Sequence, residues 1–475
     1  MQISFDELEQ VADEKIWEFC VVGSGPAGIV LTKRLAEQGR TVLLLEAGDE
    51  EVTFESQEAY HGQVFGDPYF DLATSRLRAL GGSSGHWEGW CRELDAHDFD
   101  FKPSFPKAHW PIGIQDLKPY LTEASSLLEL GNIRSSRSSV DNNDVRHLVF
   151  LRSNPPVHFG QKFRHFLNND ANVAYALRTA VTRIHSQTAP HTRVDVADTA
   201  GNRSSVRAKN IVLATGGIEN SRILKWSQHL SEGRLVDQRC PIGNFWMEHP
   251  HTSVGEVFIE TKAANIIFFG LSPQTQRRAR ILNANLQARP ILEEIGTKAL
   301  VTDLLCVAPS LSNRILELLD KKVWCGARLV GAWEQEPLFE NRVALSAEAV
   351  DRFGIPRPIL YWKKSDNDLR TIFESVSIFG EYLAAAGRGR VRMADWLQSG
   401  GPWPEDRIMG GHHHMGGTRM AASPDDGVVD KHCKVFGQNS IYVAGSSVFP
   451  SGGHANPTLT LVQLSLRLAD HLLGH

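Results

Sequence analysis

The sequence predicts an α/β protein of two lobes, one built around a nucleotide-binding parallel sheet and one of short strands and helices. Three observations carry that expectation. A strand, a glycine turn, a helix and a second strand open the chain; a further buried strand running into glycines returns near residue 210; and residues 252 to about 400 hold short strands and helices but no nucleotide motif.

Ile16 to Val22 is apolar enough for a buried strand, and Gly23-Ser24-Gly25-Pro26-Ala27-Gly28 follows it directly. Val30, Leu31 and Leu35 then recur at helical spacing up to Gly39, a suitable helix end. Thr41 to Leu45 is a second strand, closed by Glu46 and Ala47. In a GxGxxG turn so placed, the first two glycines permit close approach of a pyrophosphate and the third lets helix pack on strand. The helix N-terminus adds free N–H groups and partial positive charge. Glu46 is positioned to accept hydrogen bonds from a ribose diol. An acid there argues against a 2′-phosphate, so FAD or NAD is expected over NADP.

A second glycine cluster, Gly81-Gly82-Ser83-Ser84-Gly85-His86-Trp87, reads either as a surface turn or as a loop whose N–H groups approach a ligand. Its aromatic end, His86-Trp87, favours the ligand. From His97 to about Asp144, Pro103, Pro106, Pro111 and Pro119 suggest a connection or lid. Short strands at Val173 to Leu177 and Thr192 to Val196 lead into Lys209 to Gly217. That strand runs Ala214, Thr215 and Gly216 past the cofactor, with a helix opening near Asn220. The sheet therefore returns after an insertion. The division expected for the chain is a nucleotide-binding domain of 1–100, 200–250 and 410–475, whose discontinuity rests on the family resemblance given below, with 101–199 a connection or lid plus a hairpin insertion and 251–409 the substrate side. Trp324, Trp333, Trp362, Trp396 and Trp403 of that lobe could stack on sugar faces, but burial in a core is the commoner fate of Trp.

Composition excludes several classes. A net charge of -5 gives no electrostatic reason for nucleic acid or an anionic membrane as partner. No apolar run reaches the roughly 18 residues of a membrane span, and the first ten residues lack a signal peptide's basic and apolar regions. The six cysteines are scattered without CxxC spacing, which speaks against a zinc or disulfide framework and for a reducing cytoplasm.

Near the end, His412-His413-His414-Met415-Gly416-Gly417-Thr418 and Gly453-His454-Ala455-Asn456-Pro457-Thr458 place a candidate proton acceptor and a polar partner on glycine-rich turns. Three adjacent histidines point in different directions, and no acid cluster supports them, so no metal is expected. Between the two motifs, Ile441 to Ala444 is a strand running into Gly445-Ser446; after them a core helix runs from about Pro457 to Leu473.

At this point the chain resembles the glucose–methanol–choline (GMC) family of FAD-dependent oxidoreductases. The likeness rests on GSGPAG followed by LLLEAG, GGSSGHW, LATGGIENSRIL, FWMEHP, and the pair HMGGT and NPTLT, and it spans most of the chain. It implies a discontinuous Rossmann-type FAD domain and a substrate domain of antiparallel sheet and helices. The nearest branch in motifs is that of pyranose oxidase and glycoside 3-oxidases or 3-dehydrogenases. Matching HxGGT makes His414 the base, and NPTLT makes Asn456 its partner. Where relatives place Asp-Ala, this chain has Gly445-Ser446, leaving that FAD contact to backbone groups. The resemblance also makes His86 a candidate for a covalent 8α link to the flavin.

Oxidising an alcohol requires a base for the hydroxyl proton, and His meets that need near neutral pH. His412 or His413 stands as an alternative base, separated from His414 only by the HxGGT spacing, and His454 as an alternative to Asn456. The first turn of the closing helix, after Pro457 and Thr458, is expected to face the flavin edge where negative charge develops. The expected substrate is a sugar, glycoside or related alcohol, with oxygen or a quinone as electron acceptor. An NAD(P)H-dependent flavin reductase or monooxygenase is the competing class, weakened by the lack of a second GxGxxG.

Overall fold

The computed structural model describes residues 1–474 except 13, 132, 134–138, 141–143, 187–190, 260–265 and 291–325. Trp324, Cys306 and Cys325 lie outside the described residues. Among the rest, three sheets organise the chain.

The first sheet carries β1 (Ile16–Val22), β2 (Val42–Leu45), β6 (Val173–Ala176), β7 (Thr179–Ile184), β8 (Thr192–Asp198), β9 (Arg203–Leu213) and β17 (Ile441–Val443). Strands β6, β2, β1 and β9 run parallel, and β17 joins the carboxyl half of β9 in parallel too. The β7–β8 hairpin lies antiparallel along the other half of β9. β1 and β2 are buried on both faces, as parallel strands covered by helices must be. Helix Pro26–Glu37 opens at Gly25 with Pro in its first turn and buries Ile29, Val30, Leu31 and Leu35. It packs beside the closing helix Thr458–Leu473. Helix Gly216–Leu230 starts at the glycines after β9, four residues earlier than the Asn220 opening suggested.

The second sheet is antiparallel: β10 (His251–Ile259), β11 (Ile267–Leu271), β12 (Ala284–Pro290), β13 (Ala327–Trp333) and β16 (Gly389–Met393), extended by β5 (Val145–Leu148) and β4 (Ser139–Val140). One of its faces packs Leu286, Leu329 and Trp333 with Ile372, Val376 and Phe379 of helix Asp366–Ala385. A capping box starts that helix: Ser365 accepts from the Asp368 N–H, and the Asp368 carboxylate accepts from the Ser365 N–H. The third sheet joins β14 (Arg342–Val350) and β15 (Pro356–Trp362) to β3 (Gln63–Gly66).

Two boundaries differ from the sequence reading. Residues 101–199 do not form a separate connection: β5 extends the substrate sheet, whereas β6, β7 and β8 extend the nucleotide sheet. Strand β3, from the amino-terminal segment, pairs with β15 across nearly 300 positions, so the domains interlock. Trp333 and Trp362 are fully buried, and Trp396 and Trp403 pack half-buried against the substrate-lobe core. The core reading of these tryptophans stands. No described helix is long and apolar enough to cross a membrane.

Candidate active site

A cavity of about 670 Å³ runs from the carboxyl ends of β1, β2 and β9 to one face of the antiparallel sheet. Three long helices point their N-termini into it: Pro26–Glu37, Gly216–Leu230 and Thr458–Leu473. None has a side-chain cap, so first-turn N–H groups remain to be satisfied by whatever lies in front of them.

The glycine turn is shaped for close approach. Gly23 has a φ of +101°, and a Cβ there would stand 2.6 Å from the Ala214 carbonyl oxygen. At Gly28 it would stand 1.9 Å from the Gly23 oxygen, locking helix onto turn. Glu46 accepts from the Ser24 N–H (2.9 Å), the Ser24 hydroxyl (2.6 Å) and the Gly48 N–H (2.8 Å). It braces the turn while still lining the cavity beside Ala47. Gly82, Ser83 and Ser84 line the opposite side. Gly81 stands just behind them, its N–H bonded to the Ser24 carbonyl at 3.1 Å. The Ser84 hydroxyl donates to the Gly81 carbonyl and accepts from the Phe159 N–H. Trp87 is anchored through its indole N–H to the Val157 carbonyl, 2.9 Å. His86 is exposed at the cavity rim, 6.5 Å from the His412 ring centre. Ala214, Thr215, Gly216, Gly445, Ser446, Pro457 and Thr458 complete this part.

The three consecutive histidines diverge. His412, at φ +60°, sets its ring edge-on to Phe70. His414 packs against Tyr69 and Trp246 (ring centres 6.2 and 5.6 Å). Its carbonyl accepts the Ser446 hydroxyl at 2.6 Å, and its Nε2 has no hydrogen-bond partner. His413 is the residue that meets Asn456: its Nε2 lies 3.2 Å from the Asn456 amide nitrogen. The pairing expected for His414 therefore falls to His413. Side chains of adjacent residues in an extended turn leave on different sides, so a one-residue choice of register decides which ring faces Asn456.

Behind His413 stands a second histidine, that of the FWMEHP motif. His249 Nε2 lies 2.8 Å from the Gly453 carbonyl oxygen, and its Nδ1 lies 2.9 Å from His413 Nδ1. A carbonyl can only accept, so His249 carries its proton on Nε2 and offers a bare Nδ1. Burial pushes His249 down to about 4 and holds His413 well below the ordinary histidine range, so both rings are neutral at pH 7. His413 then donates from Nδ1, which leaves its Nε2 bare, accepting from Asn456 and facing the cavity. The chain of bonds fixes one tautomer.

Glu248 fastens this arrangement from below. Its Oε1 accepts from the backbone N–H groups of His249 (2.8 Å) and His413 (2.7 Å), and its Oε2 from the Tyr69 hydroxyl (2.5 Å). Burial raises Glu248 to about 7. His454, the other candidate partner, turns away: its Nε2 lies 3.2 Å from Asp95, within a buried cluster holding Arg92 and Arg146.

The substrate sheet supplies a strip that sequence reading missed. Asn285, Gln287 and Arg289 of β12 line the cavity, while Leu286 and Ala288 between them are core. The alternation Asn-Leu-Gln-Ala-Arg is the period of a strand with one wet face, and it was the available signal.

Glycine cradle, three uncapped helix ends and the orphan His414 Nε2 in the wall fit a dinucleotide with a polar ring system. Residues 21–94 match an NAD(P)-binding Rossmann-like domain, and residues 337–465 match GMC oxidoreductase. Over 95% of its length the chain is 23% identical to the 2-methyl-1,2-propanediol dehydrogenase of Mycolicibacterium austroafricanum, covering 94% of that protein. Over 28% of its length it is 31% identical to the C-glycoside 3-oxidase of Microbacterium trichothecenolyticum, covering 24% of it. Pyridoxine 4-oxidase from Mesorbium loti has the same fold, with a TM-score of 0.59 at 16% identity over 97% of this chain and 99% of that one. Fold and site define an FAD-dependent oxidoreductase acting on CH–OH groups. More narrowly, residues 337–465 carry the match to GMC oxidoreductase, and the chain is similar along nearly its whole length to the diol dehydrogenase above.

Proposed function

We propose that the chain oxidises an alcohol carbon of a sugar, glycoside or related polyol to a carbonyl, with His413 as the base and Asn456 as its partner. The observation that carries this is the tautomer chain from Gly453 through His249 to His413, which leaves His413 Nε2 unprotonated and held only by an amide N–H of Asn456. The polar strip on β12 favours a polyhydroxylated substrate over a plain alkyl alcohol, and the similarity to a C-glycoside 3-oxidase points the same way.

Bound FAD supplies the hydride acceptor. The glycine turn Gly23–Gly28 and the helix behind it would hold its phosphates; Glu46 would meet its ribose. Gly445, Ser446, Pro457 and Thr458 would lie along its ring system, with His414 offering its free Nε2. The substrate hydroxyl replaces the Asn456 N–H on His413 Nε2, which then takes the hydroxyl proton as the carbon–hydrogen bond breaks, a contribution of about 10²–10⁴-fold. Asn456 donates to the same oxygen and fixes which hydrogen of the carbon is presented. The N-terminus of helix Thr458–Leu473 favours negative charge in front of it. The free state of Cys20, Cys91, Cys240 and Cys433 supports a reducing, cytoplasmic setting.

The test is anaerobic. Candidate alcohols are added to FAD-loaded enzyme and the oxidised-flavin absorption is followed; bleaching by a sugar or glycoside is expected. Bleaching by NADH and by no alcohol would return the chain to the reductase class. Repeating the reaction with oxygen and with a quinone assigns the acceptor. Acid precipitation settles His86: colour in the pellet marks a covalent flavin, colour in the supernatant excludes one.

A further inference from the structure

The cavity face of β12 is a ladder of side-chain hydrogen bonds with a direction. Arg289 donates through Nε (3.0 Å) and Nη2 (2.6 Å) to the Gln287 carbonyl oxygen. Gln287 donates to the Asn285 carbonyl oxygen at 3.0 Å, and Asn285 donates to the His454 backbone oxygen at 2.9 Å. Each side-chain oxygen is thus already engaged by a neighbouring donor, and what remains unspent is almost entirely N–H. A guanidinium has five N–H groups and each amide two, so Arg289 keeps three, Gln287 one and Asn285 one. The strip presents donors and a positive charge to the cavity.

No carboxylate among the described residues answers that charge. Among the described residues Arg289 makes no ion pair; its bonds go only to the neutral Gln287. The unbalanced charge is felt nearby: His251, level with Asn285 across Ala332 of β13, is pushed down to about 4 by burial and then by Arg289. Elsewhere in the same cavity wall Arg76 pairs with Glu219 (2.9 Å) and Arg222 with Asp351 (2.7 Å), whereas Arg78 lies over the Tyr60 and Phe353 rings. The bonds to Gln287 use the Nε and Nη2 side of the guanidinium. That leaves the Nη1–Nη2 edge, two parallel N–H groups, which is the pattern a planar carboxylate receives bidentately. Trp90, Phe150 and Phe268 supply an apolar wall beside it, with Phe268 level with Gln287 in the neighbouring strand.

We infer that Arg289 is a specificity-determining residue and that the substrate carries a carboxylate on the part remote from the carbon being oxidised. The inference rests on the reading of this cavity as an alcohol-oxidising site. The ladder links the two ends: Asn285 holds the backbone of the His454 turn, two residues before Asn456, while Arg289 stands two rungs further along the strand. One end of the substrate meets the histidine–asparagine pair and the other meets the guanidinium.

The experiment compares methyl β-D-glucopyranoside with the corresponding methyl glucuronoside, which differs by one carboxylate. Each is titrated anaerobically into FAD-loaded enzyme, and the shift of the flavin absorption bands gives Kd while bleaching reports oxidation. In the wild type the carboxylate probe should bind about tenfold more tightly or better, the scale of a charge-assisted bidentate contact, and less so in high salt. The preference should fall to near one in Arg289→Gln and persist in part in Arg289→Lys. A general loss of fold would weaken both probes together and leave their ratio alone. A wild-type ratio at or below one, a ratio untouched by Arg289→Gln, or no carboxylate-dependent band shift at all overturns the inference. If the carboxylate probe binds through Arg289 but no alcohol bleaches the flavin, the anion subsite stands and the alcohol-oxidation reading fails.

Discussion

At the scale of single residues, the site depends on where two protons sit. His249 has one acceptor it cannot misuse, the Gly453 carbonyl, and this choice passes through its ring to His413. His249 is a positioning residue. His249→Ala should lower kcat/KM by about 10–100-fold, the range seen when a group orienting a histidine is lost. It should also move the acid limb of the pH profile upward, since burial and the neighbouring histidine both hold His413 down. His249→Gln, whose amide can donate to Gly453 and accept from His413, should recover most of the rate. In the wild type a base held well below the ordinary histidine value of about 6.5 stays bare in mild acid. kcat/KM should therefore keep its neutral-pH level at pH 6, and a fall already complete at that pH would contradict a neutral, buried His413. Residue identity here was legible only in part. HHHMGG and NPT announced a histidine and an asparagine, but in three adjacent histidines the facing ring is set by backbone direction at Gly411 to Gly416, which one-dimensional spacing does not contain. His249 was equally hidden, because its role is a contact across 164 positions.

At the scale of elements, the glycine turn shows why the first motif was so readable. Most of its constraints are local: strand, positive-φ glycine, uncapped helix start, next strand and its terminal acid lie within residues 16–46, while Ala214 crowds Gly23 from afar. Gly28→Ala should be severe. Its Cβ would meet the Gly23 carbonyl oxygen at 1.9 Å, a backbone atom that can yield only by moving the turn. Loss of about 1–3 kcal/mol of stability is the usual scale of such overpacking, and purified protein should retain little FAD by absorbance. Full flavin content with an unchanged Tm would show that the turn is looser than described. The strands of the second lobe were less legible, because antiparallel partners are chosen by distant residues: β5 joins β11 across more than 100 positions. The alternation in β12 gave a strand but not the identity of its wet face.

At the scale of the whole molecule, the site is assembled from segments far apart in the chain, and buried charge ties them together. Arg222 of helix Gly216–Leu230, almost wholly buried, binds Glu219 and reaches Asp351 on the β14–β15 connection. Burial also sets the response to pH. Among the described residues nine histidines are lowered (His86, His249, His251, His412, His413, His414, His432, His454 and His471), and four carboxyls are raised (Glu93, Glu248, Glu334 and Asp368). A histidine lowered on folding takes up a proton on unfolding once pH drops below about 6.5, so its contribution is present above that pH and is lost below. A raised carboxyl acts in the opposite sense across the same window. With histidines in the majority, unfolding should take up protons between about pH 6.5 and 5. Tm of the FAD-loaded enzyme should fall over that interval; a Tm that rises as pH drops from 6.5 to 5 would mean the carboxyls dominate. The two-lobed class was readable in advance because the nucleotide unit is local. The interlocking was not, since strand β3 reveals its partner β15 only in three dimensions.

The central claim is that His413, and not its neighbour His414, takes the proton. Anaerobic stopped-flow measurement of flavin bleaching by a substrate alcohol, in wild type, His413→Ala and His414→Ala, tests it most directly. His413→Ala should keep its flavin and slow reduction by at least about 10²-fold, the low end for a lost general base, while His414→Ala slows it far less. Equal bleaching in His413→Ala and wild type, with the large loss in His414→Ala instead, would contradict the account.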